Sequence, residues 1–127
     1  MSGLTVVIGY GEAALDVLRH LPVQSEHADV VVVDPDAVAL TGAIANGARV
    51  VRGDGRDICV LQHAGVQFAA RVVVAVPDDQ EGVLIAGVAR NLNRTAVIVA
   101  AVRESANQDL FTRLGADEVF VRARSVR

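Results

Sequence analysis

The feature that most constrains this chain is a regular alternation of short β-branched runs with longer segments of helical period. The runs that predict strands are Leu4 to Ile8, Val30 to Val33, Arg49 to Val51, Val72 to Val76, Ala96 to Val102 and Glu118 to Val121. The segments that predict helices are Glu12 to Leu21, Asp36 to Asn46, Asp57 to Ala64, Asp78 to Asn93 and Ser105 to Leu114. Parallel strands need crossover helices, and those crossovers are right-handed. The alternation therefore predicts an α/β fold with a doubly wound, six-stranded parallel sheet in the order 3-2-1-4-5-6 and helices on both faces.

Composition agrees with one domain spanning residues 1–127. Hydrophobic residues make up 52% of the chain but aromatic residues only 3%, so the core must consist of small branched side chains, as in sheets buried on both faces. The last six residues, 122–127, have no packing pattern and are expected to form a solvated tail. The alternative is that the three arginines of this tail contact an acidic partner.

Charge and cysteine content exclude several classes of function. The net charge is −3 and all 12 basic residues are arginine, so a basic field for nucleic acid is lacking and lysine chemistry is impossible. The single cysteine, Cys59, cannot form an internal disulfide, and no leader pattern is present, which predicts a cytoplasmic location. Apolar runs are far shorter than the roughly 20 residues needed to cross a bilayer, so direct membrane insertion is not expected.

A glycine-rich segment, Gly9-Tyr10-Gly11-Glu12-Ala13-Ala14, follows the first predicted strand and opens the first predicted helix. This is the context of the Rossmann dinucleotide fingerprint. Gly9 permits a tight turn, Gly11 lets a pyrophosphate approach the backbone, and Ala14 allows close packing of helix on strand. The helix N-terminus offers free amides to the phosphates. The segment therefore predicts a Rossmann-like nucleotide-binding domain.

Asp34 supplies the second half of this pattern. It ends the second predicted strand, 20 residues beyond Ala14, where a carboxylate accepts the ribose hydroxyls of NAD. No arginine stands next to it to receive a 2′-phosphate, so NADP is expected to be excluded. Glu12 leaves two interpretations open. Its carboxylate either repels a bound pyrophosphate or points into water while stabilising the first turn of the helix.

With these residues in place, the chain resembles the N-lobe of RCK domains (regulators of potassium conductance), including the Trk-type potassium uptake regulators. The resemblance covers nearly the whole chain. It extends to the segments Gly53-Asp54-Gly55-Arg56-Asp57, Ala89-Arg90-Asn91-Leu92-Asn93 and Leu114-Gly115-Ala116-Asp117-Glu118-Val119. It implies a domain that binds NAD(H), or ATP, ADP or AMP, and passes the ligand state to a membrane potassium channel or transporter subunit through homo-oligomers, either dimers or larger rings.

Carried over residue by residue, the resemblance implies a site with Gly9, Tyr10 and Gly11 at the phosphates and Asp34 at the ribose. Asp54, with the neighbouring Gly53, would lie beside the adenine. Arg56 stands where the family usually has Thr or Ser. It could form a salt bridge with Asp34 or Asp54, or reach a phosphate as a cation that offsets Glu12.

The sequence therefore supports a non-catalytic, nucleotide-binding regulatory domain. Two alternatives remain: the cofactor-binding domain of an NAD-dependent oxidoreductase, and an assembly scaffold with a degenerate site. Catalysis is not expected, because no nucleophile or histidine falls at the predicted strand ends and no chain remains to build a substrate domain. The three histidines lack metal-ligand spacing, and the acidic run Asp78, Asp79 and Glu81 is typical of a helix N-terminus, so no metal site is predicted. The nearly all-apolar helix through residues 82–89 has a second face, which packs either against another subunit or within the core.

Overall fold

An all-parallel sheet of six strands forms the centre of the protein, which we describe from a computed structural model over residues 3–21 and 29–122. The strands are β1 (Thr5–Ile8), β2 (Val30–Asp34), β3 (Arg49–Arg52), β4 (Arg71–Val74), β5 (Val97–Val102) and β6 (Glu118–Val121). Their order in the sheet, β3-β2-β1-β4-β5-β6, confirms the predicted topology. In the central register Val6 lies between Val31 and Val72.

Within the described residues, five α-helices cross over between the strands. They are α1 (Glu12–Arg19), α2 (Ala37–Ala45), α3 (Ile58–Ala64), α4 (Asp79–Leu92) and α5 (Gln108–Leu114). Three begin at an aspartate whose side chain accepts a hydrogen bond from the amide two residues later: Asp36 before α2, Asp57 before α3 and Asp78 before α4. These caps satisfy amides that the helix itself leaves without an acceptor.

Several predicted boundaries were wrong by one to three residues. β4 ends at Val74 rather than Val76, because Pro77 and the cap at Asp78 already turn the chain into α4. α1 ends at Arg19 rather than Leu21. α5 begins at Gln108 because residues 105–107 form a separate 3₁₀ turn.

The two faces of the sheet bury separate apolar layers, as alternation along each strand requires. Val7, Val32, Val73 and Val99 face α1 and α2. The opposite layer contains Ile8, Val33, Val74, Ile98 and the buried residues of α3, α4 and α5. Phe111 of α5 is the largest fully buried side chain, and the rest of the core is mostly Val, Ala, Ile and Leu. Helices thus cover both faces, as predicted.

The second apolar face of α4 packs mainly within the chain. A Cβ at Gly82 would lie 2.9 Å from the Phe111 ring, and one at Gly87 would lie 3.9 Å from Leu114, so α5 approaches this face closely. Leu84 remains 57% exposed. Within residues 3–21 and 29–122, no helix has both the length and the apolar character that a membrane span requires.

Two of the segments that carry the family resemblance, residues 89–93 and 114–119, meet in one polar network near the amino ends of β4 and β5. The Arg90 guanidinium donates to the Gly115 carbonyl (2.7 Å) and to the Asp117 carboxylate (2.7 Å). The buried Asn93 side chain donates to the carbonyls of Val66 (2.9 Å) and Ala69 (2.8 Å). These residues stabilise the fold, because buried carbonyls without a donor would be costly.

Candidate functional site

The turn after β1 has a backbone geometry that only glycine fits. Gly9 adopts φ +90, and a Cβ there would lie 2.7 Å from the Ala75 carbonyl oxygen. Its amide donates to the Val33 carbonyl (2.8 Å), which fixes the turn against β2. The first glycine of the segment therefore sets the path of the chain between β1 and α1.

Gly11 differs from Gly9 because its backbone is extended, with φ −123 and ψ −159, and any residue can adopt it. No atom lies within 4 Å of the position that a Cβ would take. Gly11 precedes α1 and provides no side-chain cap. The first helical bond runs from the Leu15 amide to the Gly11 carbonyl. The amides of Glu12 and Ala13 thus have no acceptor within the helix, and both residues line the cleft described below, as anion binding requires.

Asp34 at the end of β2 holds the glycine turn in place. Its Oδ2 accepts from the Tyr10 amide and its Oδ1 accepts from the Asp36 amide, both at 2.8 Å. A carboxylate oxygen has two lone pairs, so each oxygen retains capacity for a further donor. The same carboxylate can therefore position the turn and accept ribose hydroxyls.

Tyr10 contributes packing rather than an exposed side chain. The ring is buried on the α2 side of the sheet, and its hydroxyl accepts a hydrogen bond from Asn46 Nδ2 (2.8 Å). Its backbone amide already donates to Asp34. Of the three residues expected at the phosphates, Tyr10 therefore acts by fixing the turn between Gly9 and Gly11.

The segment after β3 answers the question of the Arg56 partner. Arg56 pairs with Asp54, with Nη2 to Oδ2 at 2.7 Å and Nε to Oδ1 at 3.1 Å. This hydrogen-bonded guanidinium lowers the pKa of Asp54 from 3.8 to about 2. Gly53 does not line the cleft described below. Its amide donates to the Asp34 carbonyl (3.2 Å), and a Cβ there would meet the Val60 side chain at 2.8 Å.

Glu12 lies at the edge of the site, with its side chain 92% exposed. Its nearest cation is Arg122, with Nη2 to Oε1 at 3.9 Å. An acid in the first turn stabilises the helix through its dipole, and full hydration weakens its repulsion of a nearby anion. The geometry favours the second of the two interpretations of Glu12.

These residues surround a cleft of about 480 Å³ at the carboxyl ends of the central strands. Its lining comprises Ile8, Gly9, Tyr10, Gly11, Glu12, Ala13, Val33, Asp34, Pro35, Asp36, Ala39, Asp54, Gly55, Arg56, Ala75, Val76, Pro77, Glu81, Ile85 and Arg122. Seven of the eight predicted site residues lie in it, all except Gly53. The cleft is at the point where strand order reverses between β1 and β4, which is where ligands bind in open α/β sheets.

Arg122 is the lining residue whose role the sequence analysis missed. The sequence predicts a solvated tail from residue 122 onward, but the Arg122 amide continues the β6 ladder to the Val102 carbonyl (2.9 Å) and its side chain is 37% exposed. Its position two residues beyond Phe120 was the available signal, because strand side chains alternate between faces. The other tail residues, 123–127, lie outside the described residues.

Asp78 and Asp79, the first two residues of the acidic run predicted at a helix N-terminus, lie in a separate hollow and have structural partners. Asp78 caps α4. Partial burial alone would raise the pKa of Asp79, but hydrogen bonds from Asn107 Nδ2 (2.9 Å) and from the Arg103 and Glu104 amides outweigh it and lower that pKa. In the part of the chain that the structure describes, no group of three His, Cys, Asp or Glu residues could hold a metal ion.

Comparison with known proteins places this architecture in a family. The model of the TrkA-N domain matches residues 5–122. The chain belongs to the TrkA-N domain family. This membership agrees with the RCK resemblance, and no match was found among curated proteins.

Solved structures show the same fold. The TrkA-N domain of the inner membrane protein ybaL from Escherichia coli superposes with a TM-score of 0.81 at 21% identity, over 95% of this chain and 88% of that one. The GsuK RCK domain matches with a TM-score of 0.73 at 27% identity, over 93% of this TrkA-N chain. The Kef CTD of Shewanella denitrificans in its AMP-bound form matches with a TM-score of 0.73 at 22% identity, over 93% of this chain and 70% of that one. This chain spans only 25% of the length of the GsuK chain.

Proposed function

We propose that this TrkA-N domain binds NAD(H) or an adenine nucleotide, ATP, ADP or AMP, in the cleft at the ends of β1, β2 and β4. In this proposal the domain is a non-catalytic regulator that controls a membrane potassium channel or transporter subunit from the cytoplasmic side. The resemblance to RCK domains implies this class of partner. In this proposal the bound nucleotide is the signal that the domain passes to its partner.

One observation carries the nucleotide proposal. The free amides at the start of α1 and the Asp34 carboxylate face one cleft, held together by the 2.8 Å hydrogen bond from the Tyr10 amide to Asp34. Amides at a helix N-terminus bind phosphate, and a carboxylate at the end of the second strand binds ribose hydroxyls. In an adenosine phosphate the phosphate and the ribose are directly linked, so one ligand can contact the amides and the carboxylate together.

The relatives favour the nucleotide part of the proposal. The GsuK channel has been solved bound to NAD and bound to ADP, and the Kef CTD bound to AMP. Several nucleotides thus fit this fold in other proteins. The carboxylate pair Asp34 and Asp36 at the ribose end of the cleft disfavours the extra phosphate of NADP.

The chemistry of the cleft supports a binding role over a catalytic one. The titratable side chains among its described lining residues are carboxylates, arginines and the buried Tyr10, without histidine or cysteine. A dehydrogenase needs an acid–base group placed against the nicotinamide. The cofactor-binding domain of an oxidoreductase would have to take that group from another part of a larger protein.

We also propose that the domain forms a homo-oligomer through the outer surface of α4 and α5. Leu84, Leu110 and Leu114 are large apolar side chains exposed on these two adjacent helices, and such clusters favour association. Light scattering of the wild-type chain against Leu84→Asp checks this. A dimer or ring that becomes monomeric supports the surface, and an unchanged oligomer places the contact elsewhere.

Thermal unfolding with NAD, NADH, NADP, ATP, ADP and AMP tests the nucleotide proposal. A ligand at 100 times its dissociation constant adds about 2.7 kcal/mol of stability, which is worth several degrees in a domain of this size. A rise with NAD or NADH but not NADP supports the dinucleotide form of the proposal. A rise only with ATP, ADP or AMP supports an adenine nucleotide regulator and removes the oxidoreductase alternative. No shift at millimolar ligand refutes the proposal and leaves an assembly scaffold.

A further inference from the structure

The cleft that would receive a nucleotide carries more negative than positive side chains. Five carboxylates line the cleft, those of Glu12, Asp34, Asp36, Asp54 and Glu81, against the two guanidinium groups of Arg56 and Arg122. A nucleotide phosphate entering this excess of negative charge needs a cation close to it, since the partial charge of a helix N-terminus is only about half a unit. Among the described lining residues, the side chains that could supply that charge are Arg56 and Arg122.

Arg56 is already committed to another group. Its Nε and Nη2 both bond to the Asp54 carboxylate, and its backbone amide bonds to the same carboxylate at 2.8 Å. Both side chains are about half exposed, but the pair is bidentate and short, and turning Arg56 toward a phosphate would break these charge-assisted hydrogen bonds. Its charge therefore stays with Asp54.

Arg122 has a much weaker attachment. The contact with Glu12 spans 3.9 Å, which is too long for a hydrogen bond, and Glu12 is 92% exposed. Exposed pairs of this kind contribute little. Arg122 can leave Glu12 at small cost, and Glu12 sits on the first turn of the helix whose amides face the open space.

The sheet determines where Arg122 points. The Arg122 amide bonds to the Val102 carbonyl (2.9 Å), so this residue extends β6. Two residues earlier, Phe120 packs against the α1 side of the sheet, with its ring 6.0 Å from the His20 ring. Residues two apart on a strand share a face. Arg122 is thus held on the α1 side, beside the start of that helix.

We propose that Arg122 is the phosphate-binding cation of this domain. The inference rests on the proposed nucleotide function and names the residue that completes its site. When a phosphate binds at the start of α1, Arg122 exchanges its loose contact with Glu12 for charge-assisted hydrogen bonds to the phosphate. Because Arg122 directly follows β6, the bound phosphate also fixes the point at which the chain leaves the sheet.

Isothermal titration with NAD, AMP and adenosine tests this assignment. Adenosine has no phosphate, so it separates phosphate binding from the rest of the site. We expect Arg122→Gln to raise the dissociation constants of NAD and AMP about tenfold, in line with one lost charged hydrogen bond, and to leave adenosine unchanged. The matched control is Arg94→Gln, an exposed arginine outside the cleft, which should change none of them. Arg122→Lys should restore part of the phosphate affinity.

A double-mutant cycle with Glu12→Gln separates direct contact from simple neutralisation. If Arg122 contacts the phosphate, Arg122→Gln still raises the dissociation constant of AMP about tenfold in the Glu12→Gln background. If Arg122 only neutralises Glu12, that loss disappears in the Glu12→Gln background, and the proposal is overturned. Melting temperatures without ligand check that each variant is folded.

The outcomes separate this inference from the proposed function. A wild-type chain that binds none of NAD, NADH, ATP, ADP and AMP at millimolar concentration refutes the function itself and this inference with it. A wild-type chain that binds them, with Arg122→Gln indistinguishable from Arg94→Gln, refutes only the assignment of Arg122. An equal loss for AMP and adenosine also refutes it, because a structural role would affect both ligands.

Discussion

The two glycines in the turn after β1 should respond differently to replacement by alanine, one through stability and the other through nucleotide affinity. Gly9 has a left-handed backbone, with φ +90, and no room for a Cβ, whereas Gly11 has an extended backbone and open space around it. We predict that Gly9→Ala loses stability. Gly11→Ala should keep its stability and lose nucleotide affinity.

The magnitudes follow from the local geometry. A left-handed conformation costs a residue with a Cβ about 1–2 kcal/mol, and relieving the 2.7 Å approach to the Ala75 oxygen adds a similar amount. Gly9→Ala should therefore lose about 2–4 kcal/mol, or roughly 8–15 °C of melting temperature at this chain length. At Gly11, the reduced entropy of the unfolded chain and the poorer cap offered by alanine nearly cancel, so stability should change by less than about 1 kcal/mol.

The assay is thermal unfolding of both variants with and without saturating NAD. The methyl group of Gly11→Ala occupies the space through which a phosphate approaches the backbone, so we expect its NAD affinity to fall at least about tenfold. A Gly11→Ala protein with the full wild-type NAD shift would refute the placement of the phosphates. A Gly9→Ala protein as stable as wild type would refute the steric argument.

Three further predictions concern the ribose end of the cleft, the ion pair and the structural network. Asp34→Asn should lower the affinity for NAD about tenfold and reduce the ratio of NAD to NADP affinity, because one carboxylate acceptor and the negative charge are lost. The Asp54 carboxyl should titrate near pH 2 by NMR and return toward 3.8 in Arg56→Gln. Its lowered pKa means that the stability it contributes is present above about pH 4 and is lost as the pH falls toward 2. Asn93→Ala should lower the free energy of unfolding in urea by about 2–4 kcal/mol, because two buried carbonyls are left without a donor.

Each of these predictions has a contrary result. An unchanged ratio of NAD to NADP affinity in Asp34→Asn would remove this carboxylate from the ribose site. An Asp54 titration near 3.8 in the wild-type chain would mean that the ion pair with Arg56 does not persist in solution. If Asn93→Ala unfolds at the wild-type urea concentration, water has replaced its hydrogen bonds.

The fold could be predicted because its determinants are local. β-Branched runs and helical segments alternate along the chain, and right-handed crossovers leave few arrangements of six parallel strands. Gly9, Gly11 and Asp34 could be placed for the same reason, since the turn after β1 and the end of β2 meet in any sheet of this order. The aspartate caps before α2, α3 and α4 are also local, because each side chain bonds to an amide two residues away.

Other features depended on which side chains meet across the fold. The spacing of Arg56 allowed Asp34 or Asp54 as its partner, and only the path of the loop after β3 chose Asp54. Arg90 and Asp117 are 27 residues apart in sequence. They form an ion pair because the last turn of α4 lies beside the turn that precedes β6. The second face of α4 could not be assigned from its apolar pattern, because a neighbouring helix and another subunit select the same residue types.

By itself the sequence determined the order of the strands, the glycine turn and the acid at the end of β2, because short-range sterics and hydrogen bonding set them. Only the tertiary structure decided the charge balance of the cleft, since it brings together side chains from four separate turns and from the end of β6. Arg122 shows the difference. The residues around Arg122 in the sequence predict a solvated side chain. In the structure its amide bonds to the Val102 carbonyl, which places its side chain in the cleft beside Glu12, 110 residues earlier in the chain.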